Sequence, residues 1–199
     1  MAHQATPSTF FDAAVRILAG SGRNGLRIGH LCRAVGVTSG SFYHHFGSWE
    51  GFVSALLEHW EQEQTSRIVA LVSSDDDPLR RIRLLKELAV DLPHDAETAI
   101  RGWAGTDTTV AAAQRRVDER RRAALRDVLD PVIADPDLRA LLAEMGMSVL
   151  VGYQQSLADG GGADLAAMLD QFELLVRGHV NGVLGDGTPP TPSGAVGTR

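Results

Sequence analysis

Between residues 36 and 49 the chain reads Gly-Val-Thr-Ser-Gly-Ser-Phe-Tyr-His-His-Phe-Gly-Ser-Trp. Thr38, Ser39, Gly40 and Ser41 put four small residues in a row where a helix begins. A helix that opens on small residues can bring its backbone close to another surface. Tyr43, His44 and His45 follow, and each carries an O–H or N–H suited to a phosphate oxygen. Small hydroxyl residues at the start and donors at the rim suit an αα-hairpin whose Ser and Thr residues are only caps, and they suit equally a helix laid into the major groove of double-stranded DNA. Such a helix needs a partner that crosses the phosphate backbone. Ile28 to Ala34 supplies one, with Ile28, Leu31 and Val35 inward, and the Gly36-Val37 pair makes the tight turn between the two.

Other groupings of reactive residue types lead nowhere. His30 and Cys32 are two apart, and His44 and His45 are adjacent, so neither pair shares a helix face and no metal site is expected. Asp75-Asp76-Asp77 runs straight into Pro78, which marks a loop and a helix cap rather than a magnesium motif. Gly160-Gly161-Gly162 is followed by no Lys-Ser or Lys-Thr, so it is not a phosphate-binding loop. No nucleophile motif or metalloprotease motif occurs, and no catalytic residue and no cofactor are assigned. Arg115, Arg116, Arg120, Arg121 and Arg122 interleave with Asp118 and Glu119, as on a solvated, salt-bridged helix face.

The bulk composition frames these motifs. The chain has 199 residues, 44% hydrophobic and 22% charged, which suits a folded globular protein of one or two domains. A single cysteine excludes an internal disulfide and points to a reducing compartment. The net charge is −6, and through Gln64 four arginines face five acids, so non-specific affinity for nucleic acid should be modest. No stretch approaches the roughly 20 apolar residues of a membrane span. The first residues lack the pattern of a secretory signal, so a cytoplasmic location is expected.

The elements that must hold the motif are all helical. Apolar residues recur with helical period from end to end, and strand-like alternation is absent. About nine helices are predicted. Thr6-Pro7 starts the first, which Gly20-Ser21-Gly22 ends. Helices follow over Ile28–Ala34, from Thr38 to about His45, and from Ser48 to about Val72. Leu79–Leu92 and a short helix after Pro93 come next. Asp107, Asp135-Pro136 and Asp164 then cap three long helices ending near Leu129, Ala158 and Leu184. Residues 186–199 hold three prolines and read as a disordered tail.

The first helix has the form F-x-x-A-x-x-x-L-x-x-x-G. With the following G-L-x-I-x-x-L-x-x-A-x-G-V-T-S-G-S-F-Y-H-H-F-x-S it resembles the DNA-binding domain of the TetR family of transcriptional regulators. The likeness is close over about the first 60 residues. A-I-R-G-W-A-G-T-D at Ala99–Asp107 and V-D-E-R-R at Val117–Arg121 resemble a recurrent C-terminal subtype of that family. The resemblance implies a helix-turn-helix domain over 1–65, with its motif at 27–46, and an all-α ligand-binding and dimerisation domain over 66–185. It implies that Thr38, Ser39 and Ser41 face base edges or nearby phosphates, that Tyr43 and His44 face the backbone, and that Phe42 and Phe46 lock the recognition helix from the core. Arg27 stands where the family usually has a Thr or Ser cap, and a phosphate is within its reach. Trp49 stands where a Lys commonly begins the fourth helix, and offers only an indole N–H or packing.

The same resemblance implies a cavity for an unidentified small-molecule effector. Trp60, Trp103, Met145, Tyr153 and Phe172 are its candidate apolar walls, with His94, Arg101 and Gln154 as polar anchors. The last two helices suit a homodimer. One stripe runs through Leu138, Leu141, Leu142, Met145, Val149 and Tyr153, another through Leu165, Met168, Leu169, Phe172, Leu175, Val176 and His179. Two-fold symmetry would set two recognition helices roughly 34–36 Å apart on a pseudo-palindromic operator. The expected function is a ligand-responsive repressor. The alternative is a helical small-molecule-binding protein or enzyme with a vestigial helix-turn-helix.

Overall fold

The computed structural model describes residues 5–72, 75–158, 160 and 164–182. Among these it is all-helical. The elements are α1 (Pro7–Gly25), α2 (Ile28–Val35), α3 (Ser39–Phe46), α4 (Trp49–Val72), α5 (Pro78–Val90), α6 (His94–Ala104), α7 (Thr108–Leu129), α8 (Pro136–Ala158) and α9 (Leu165–Val180). The expected disordered tail at 186–199 and the last residues of the final helix lie outside the described residues, as do Gly161 and Gly162.

Caps set most of the boundaries. Asp77, Asp107 and Asp164 each accept a backbone N–H from the first turn of α5, α7 and α9. Asp135 does the same for α8, and Ser48 accepts from Gly51 at the start of α4. Asp75 accepts the Asp77 N–H and pairs with Arg80, so the triple-aspartate run shapes a loop. One boundary differs from the sequence expectation. The chain does not leave α1 at Gly20; it kinks at Gly22, where φ is 59°, and makes one more turn to Gly25. Glycine alone takes that left-handed backbone without strain.

Aromatic edges hold the N-terminal helices together. Phe10 meets Phe46 edge-on at 5.3 Å and Phe42 at 5.9 Å, while Phe46 meets Phe52 at 5.1 Å. Phe10, Phe42 and Phe52 are fully buried. This core does not stop at the end of the fourth helix. It continues through Trp60 to Ala96, Ile100 and Trp103 of α6 and to Val110, Ala113 and Val117 of α7. A boundary at 65/66 would cut α4, which runs unbroken from Trp49 to Val72. Two further apolar clusters, centred on Val128, Leu142 and Val176 and on Leu150 and Leu169, join α5, α7, α8 and α9.

Polar groups cross the middle of the bundle as pairs. Arg121 on α7 donates from both terminal nitrogens to Glu97 on α6, at 2.8 and 2.9 Å, and to Gln64 on α4 at 2.9 Å. Trp60 Nε1 donates to the same Glu97 at 3.1 Å. Beside this, Arg101 makes a two-pronged pair with Asp118 and donates to Gln154. Nearer the surface, Glu61 on α4 accepts from Arg116 and pairs with Arg120 of α7. Of the arginine-rich face, Arg122 pairs with Glu144 on α8, and Arg115 is exposed.

Two outcomes test this reading. Glu97→Leu strands the Arg121 guanidinium in the core, and removing one partner of a buried pair costs about 3–5 kcal/mol. In a chain of this size that lowers the midpoint of thermal unfolding by roughly 10 °C. Adding Arg121→Met should recover most of the loss, because an apolar pair of similar volume is nearly neutral. A double variant no better than the single one would refute the pairing. The second outcome concerns pH. The Arg116 guanidinium, against the opposing effect of burial, holds the Glu61 carboxyl below its ordinary value. The strut is therefore in full force above the unfolded carboxylate pKa and fades as pH falls through the lower folded value. Because Arg116 is largely exposed, it is worth at most about 1 kcal/mol. Denaturant midpoints of Glu61→Gln and the parent should differ at pH 7 and converge near pH 3.

Candidate nucleic-acid interface and effector cavity

The turn after α2 is set by Gly36, which lies in the left-handed region with φ 82° and closes the helix by a bond from its N–H to the Cys32 carbonyl. Thr38 occupies the position before α3 with extended backbone, although its hydroxyl does not accept a cap bond. Within α3, Ser39, Gly40, Tyr43 and His44 stand at positions that share one helix face, and all four are exposed. Tyr43 is 50% exposed and rests edge-on against Phe42. Phe42 points the other way and is fully buried. The eight residues thus form a short amphipathic rod, pinned from beneath by Phe42 and Phe46.

The sequence candidates divide on this surface. Thr38, Ser39, Gly40, Tyr43 and His44 share the open side, and Ser41 is half-buried. Arg27 is exposed at the start of α2, its Nε donating to the Asn24 carbonyl. His45 turns inward and meets Phe10 edge-on at 5.9 Å. Trp49 is half-buried against Phe52, and the guanidinium of Arg23 lies 5.4 Å from its ring. The same guanidinium lies 4.4 Å from Trp103 on α6. Trp49 therefore joins a Trp–Arg–Trp group that fastens α1 and the start of α4 to α6. Arg33, exposed in the last turn of α2, escaped the sequence reading; a cation beside the Gly36 turn was the available signal.

Charge is better placed than the totals suggest. From residue 13 to residue 49 there is no Asp or Glu, while Arg16, Arg23, Arg27 and Arg33 lie in that span. The acids counted against the domain sit at Asp12, Glu50 and beyond, and Glu61 is spent on α7. The helix-turn-helix face is free of carboxylates. Cys32 is buried, which pushes its thiol pKa up and leaves it inert. No group of three metal-ligating side chains occurs among the described residues.

A second feature lies inside the bundle. A cavity of about 80 Å³ is enclosed by α4, α5, α7, α8 and α9. Its walls are mostly aliphatic, with Leu85, Leu88, Val128, Met147 and Leu150 prominent, and Gln64, Lys86, Arg121 and Glu173 are its polar members. Of the sequence candidates only Phe172 lines it. Trp60, Arg101 and Gln154 belong to the neighbouring hydrogen-bond network, and Trp103 to the Arg23 stack. His94 and Tyr153 pack edge-on to each other at 4.9 Å, and Met145 is 39% exposed on the outer side of α8. Two lining residues were visible in the sequence without being singled out. Lys86 is the only lysine beside 18 arginines, and Glu173 interrupts the apolar stripe of Leu169 and Val176.

Gly51 sets the seat of α3. A Cβ added there would overlap the carbonyl oxygen of Phe46, a backbone atom that cannot step aside. Gly51→Ala should therefore tilt α3 off the aromatic core, lowering both thermal stability and DNA affinity. Tyr43→Ala removes an exposed donor only; stability should stay at the parent value. Its affinity should fall roughly tenfold, the worth of one hydrogen bond to a charged group, and equally for all DNA sequences. Unchanged binding by both variants would show that α3 does not meet DNA.

Residues 10–56 match the family model described as bacterial regulatory proteins, tetR family. No curated protein matches the chain. Among solved structures, a transcriptional regulator from Rhodococcus sp. Rha1 aligns with TM-score 0.70 at 21% identity, over 86% of this chain and 96% of that one. The reduced form of Escherichia coli NemR aligns with TM-score 0.69 at 17% identity, over 87% and 96%. FadR from Bacillus subtilis, in complex with stearoyl-CoA, aligns with TM-score 0.64 at 15% identity, over 86% and 97%. The fold is thus shared over nearly the whole of each, and no helix of the described residues is long and apolar enough to cross a membrane. Over residues 10–56, where the helix-turn-helix is seated on an aromatic core, the chain is thus similar to the tetR family of bacterial regulatory proteins.

Proposed function

We propose that the chain is a ligand-responsive transcriptional repressor that binds a pseudo-palindromic operator as a homodimer. The observation that carries this reading is a single rigid path between two unlike sites. A carboxylate-free helix-turn-helix face lies at one end, and an apolar cavity at the other. The core behind the helix-turn-helix runs on to α6 and α7, the Trp49–Arg23–Trp103 group fastens it there, and the Arg121–Glu97 pair continues from it to the cavity wall. Thr38, Ser39, Gly40 and Ser41 read the groove, and Arg27, Tyr43 and His44 hold phosphates. An effector in the cavity favours an arrangement of α4 and α6 that misfits the operator, a population shift. The neighbouring FadR structure holds stearoyl-CoA, which supports an internal effector site in this fold.

For the dimer seam we propose the part of the α8 and α9 stripes that the subunit itself leaves uncovered. Leu142, Leu165, Leu169 and Val176 are buried inside the subunit, and Phe172 packs against Gly146 at the cavity. On these two helices the apolar residues left outside are Leu141 and Met145 on α8, 58% and 39% exposed, and Leu174 on α9, 59% exposed. Gly152 and Ala167 extend these rows with small residues that permit close helix approach. A four-helix seam through this face joins the two subunits.

The test uses the full chain and the DNA flanking its own gene in a mobility-shift assay. The parent should bind as a dimer. Leu174→Glu, outside the subunit core, should stay folded, run as a monomer in sizing chromatography and lose about 100-fold or more in operator affinity as the second half-site is lost. A dimeric Leu174→Glu variant would place the seam elsewhere. A parent that binds no flanking fragment more tightly than random DNA would overturn the repressor reading for that site.

A further inference from the structure

The cavity has an unusual electrical property for a compartment with two cations and a carboxylate in its lining: each is already neutralised by the protein. Arg121 spends both terminal nitrogens on Glu97 and one of them again on Gln64. Glu97 is itself buried, and its other partners, the carboxamide of Gln154 and the indole of Trp60, are neutral donors that cannot replace the charge of Arg121. At the other polar corner Lys86 donates to Asp170 at 2.7 Å and to Glu173 at 2.8 Å. The remaining oxygen of Glu173 accepts twice from Arg177. Two cations and two anions make that cluster neutral. Burial pushes the Glu173 carboxyl up, but Lys86 and Arg177 hold it below the ordinary value, so it stays ionised.

A ligand bearing a charge would have to break one of these pairs. An anion that recruits Arg121 strands Glu97 in the core. An anion that recruits Lys86 turns that cluster into three anions against two cations around the buried Glu173. A cation meets the same difficulty with the signs reversed. Removing one partner of a buried pair is strongly unfavourable. The rest of the wall is aliphatic, so nothing else compensates. The space, about 80 Å³, suits a slender group rather than a bulky polycycle.

We infer that the effector of this chain is an uncharged, largely hydrocarbon molecule, recognised by the aliphatic wall and rejected if its buried end is ionised. The inference rests on the cavity being the effector site. Polar selection would come from Gln64, whose carboxamide is the only neutral polar side chain in the lining.

Octanol and octanoate test it, since they share one chain and differ in charge. Titration calorimetry at pH 7.5 on the full chain should show octanol binding and octanoate at least roughly tenfold weaker. Ala89→Phe, which fills the cavity from α5, should abolish octanol binding. Glu173→Gln leaves Lys86 and Arg177 in excess, so octanoate should gain on octanol there. Octanoate binding as tightly as octanol to the parent, with both blocked by Ala89→Phe, would overturn this inference and leave the cavity as the site. Octanol binding unaffected by Ala89→Phe, or neither compound binding, would overturn the inference together with the site it rests on.

Discussion

A guanidinium cannot be left alone in a hydrocarbon core, and Arg121 is where this chain confronts that constraint. Its charge is met by Glu97 from α6 and its remaining donor capacity by Gln64 from α4. Three helices must therefore converge at one point with fork-like geometry, within about an ångström. Trp60 supports Glu97 from the far side. The relative placement of α4, α6 and α7 is thereby fixed more tightly than aliphatic packing alone would fix it. Because α4 begins beside the recognition helix, the same pair sets where that helix stands with respect to the rest of the molecule. Because Arg121 also forms part of the cavity wall, the interior space and the α4–α6–α7 junction share one side chain.

What the sequence disclosed and what it hid follow from the range of the interactions. Helix ends were legible wherever a cap acts within three residues, as at Ser48, Asp77, Asp107, Asp135 and Asp164. The stop read at Gly20-Ser21-Gly22 falls on the break at Gly22, while the further turn to Gly25 has no apolar residue to announce it. The motif face was readable because α3 is short and its apolar residues fall on one side. The cavity was not, because its polar members pair across 57 and 87 positions, as Arg121 does with Gln64 and Lys86 with Glu173. No local spacing reports such a pairing. The stripes read on α8 and α9 mix outward residues such as Leu141 and Met145 with inward ones such as Leu142 and Leu169 for a related reason. Both helices are apolar on two sides, and periodicity alone does not separate the two.

The replacement at Trp49 illustrates how one position can be moved from one task to another. A lysine there would extend toward a phosphate. The indole instead meets Phe52 and Arg23, and Arg23 reaches on to Trp103. A cation on aromatic faces is favourable by about 0.5–2 kcal/mol depending on exposure. The side chain serves the joint between the N-terminal helices and α6. The absence of acids between residues 13 and 49 leaves the helix-turn-helix face able to attract phosphate without it.

All three tryptophans of the chain, Trp49, Trp60 and Trp103, lie along this joint. One donates to a buried carboxylate and two sit against a guanidinium, and both surroundings govern how an excited indole loses its energy. Any rearrangement that travels between the interior space and the recognition helix must pass at least one of them. The protein is accordingly equipped with an intrinsic optical probe: its ultraviolet emission will register movement at the joint without a label, and the lifetimes of the three indoles will say which part of it has moved.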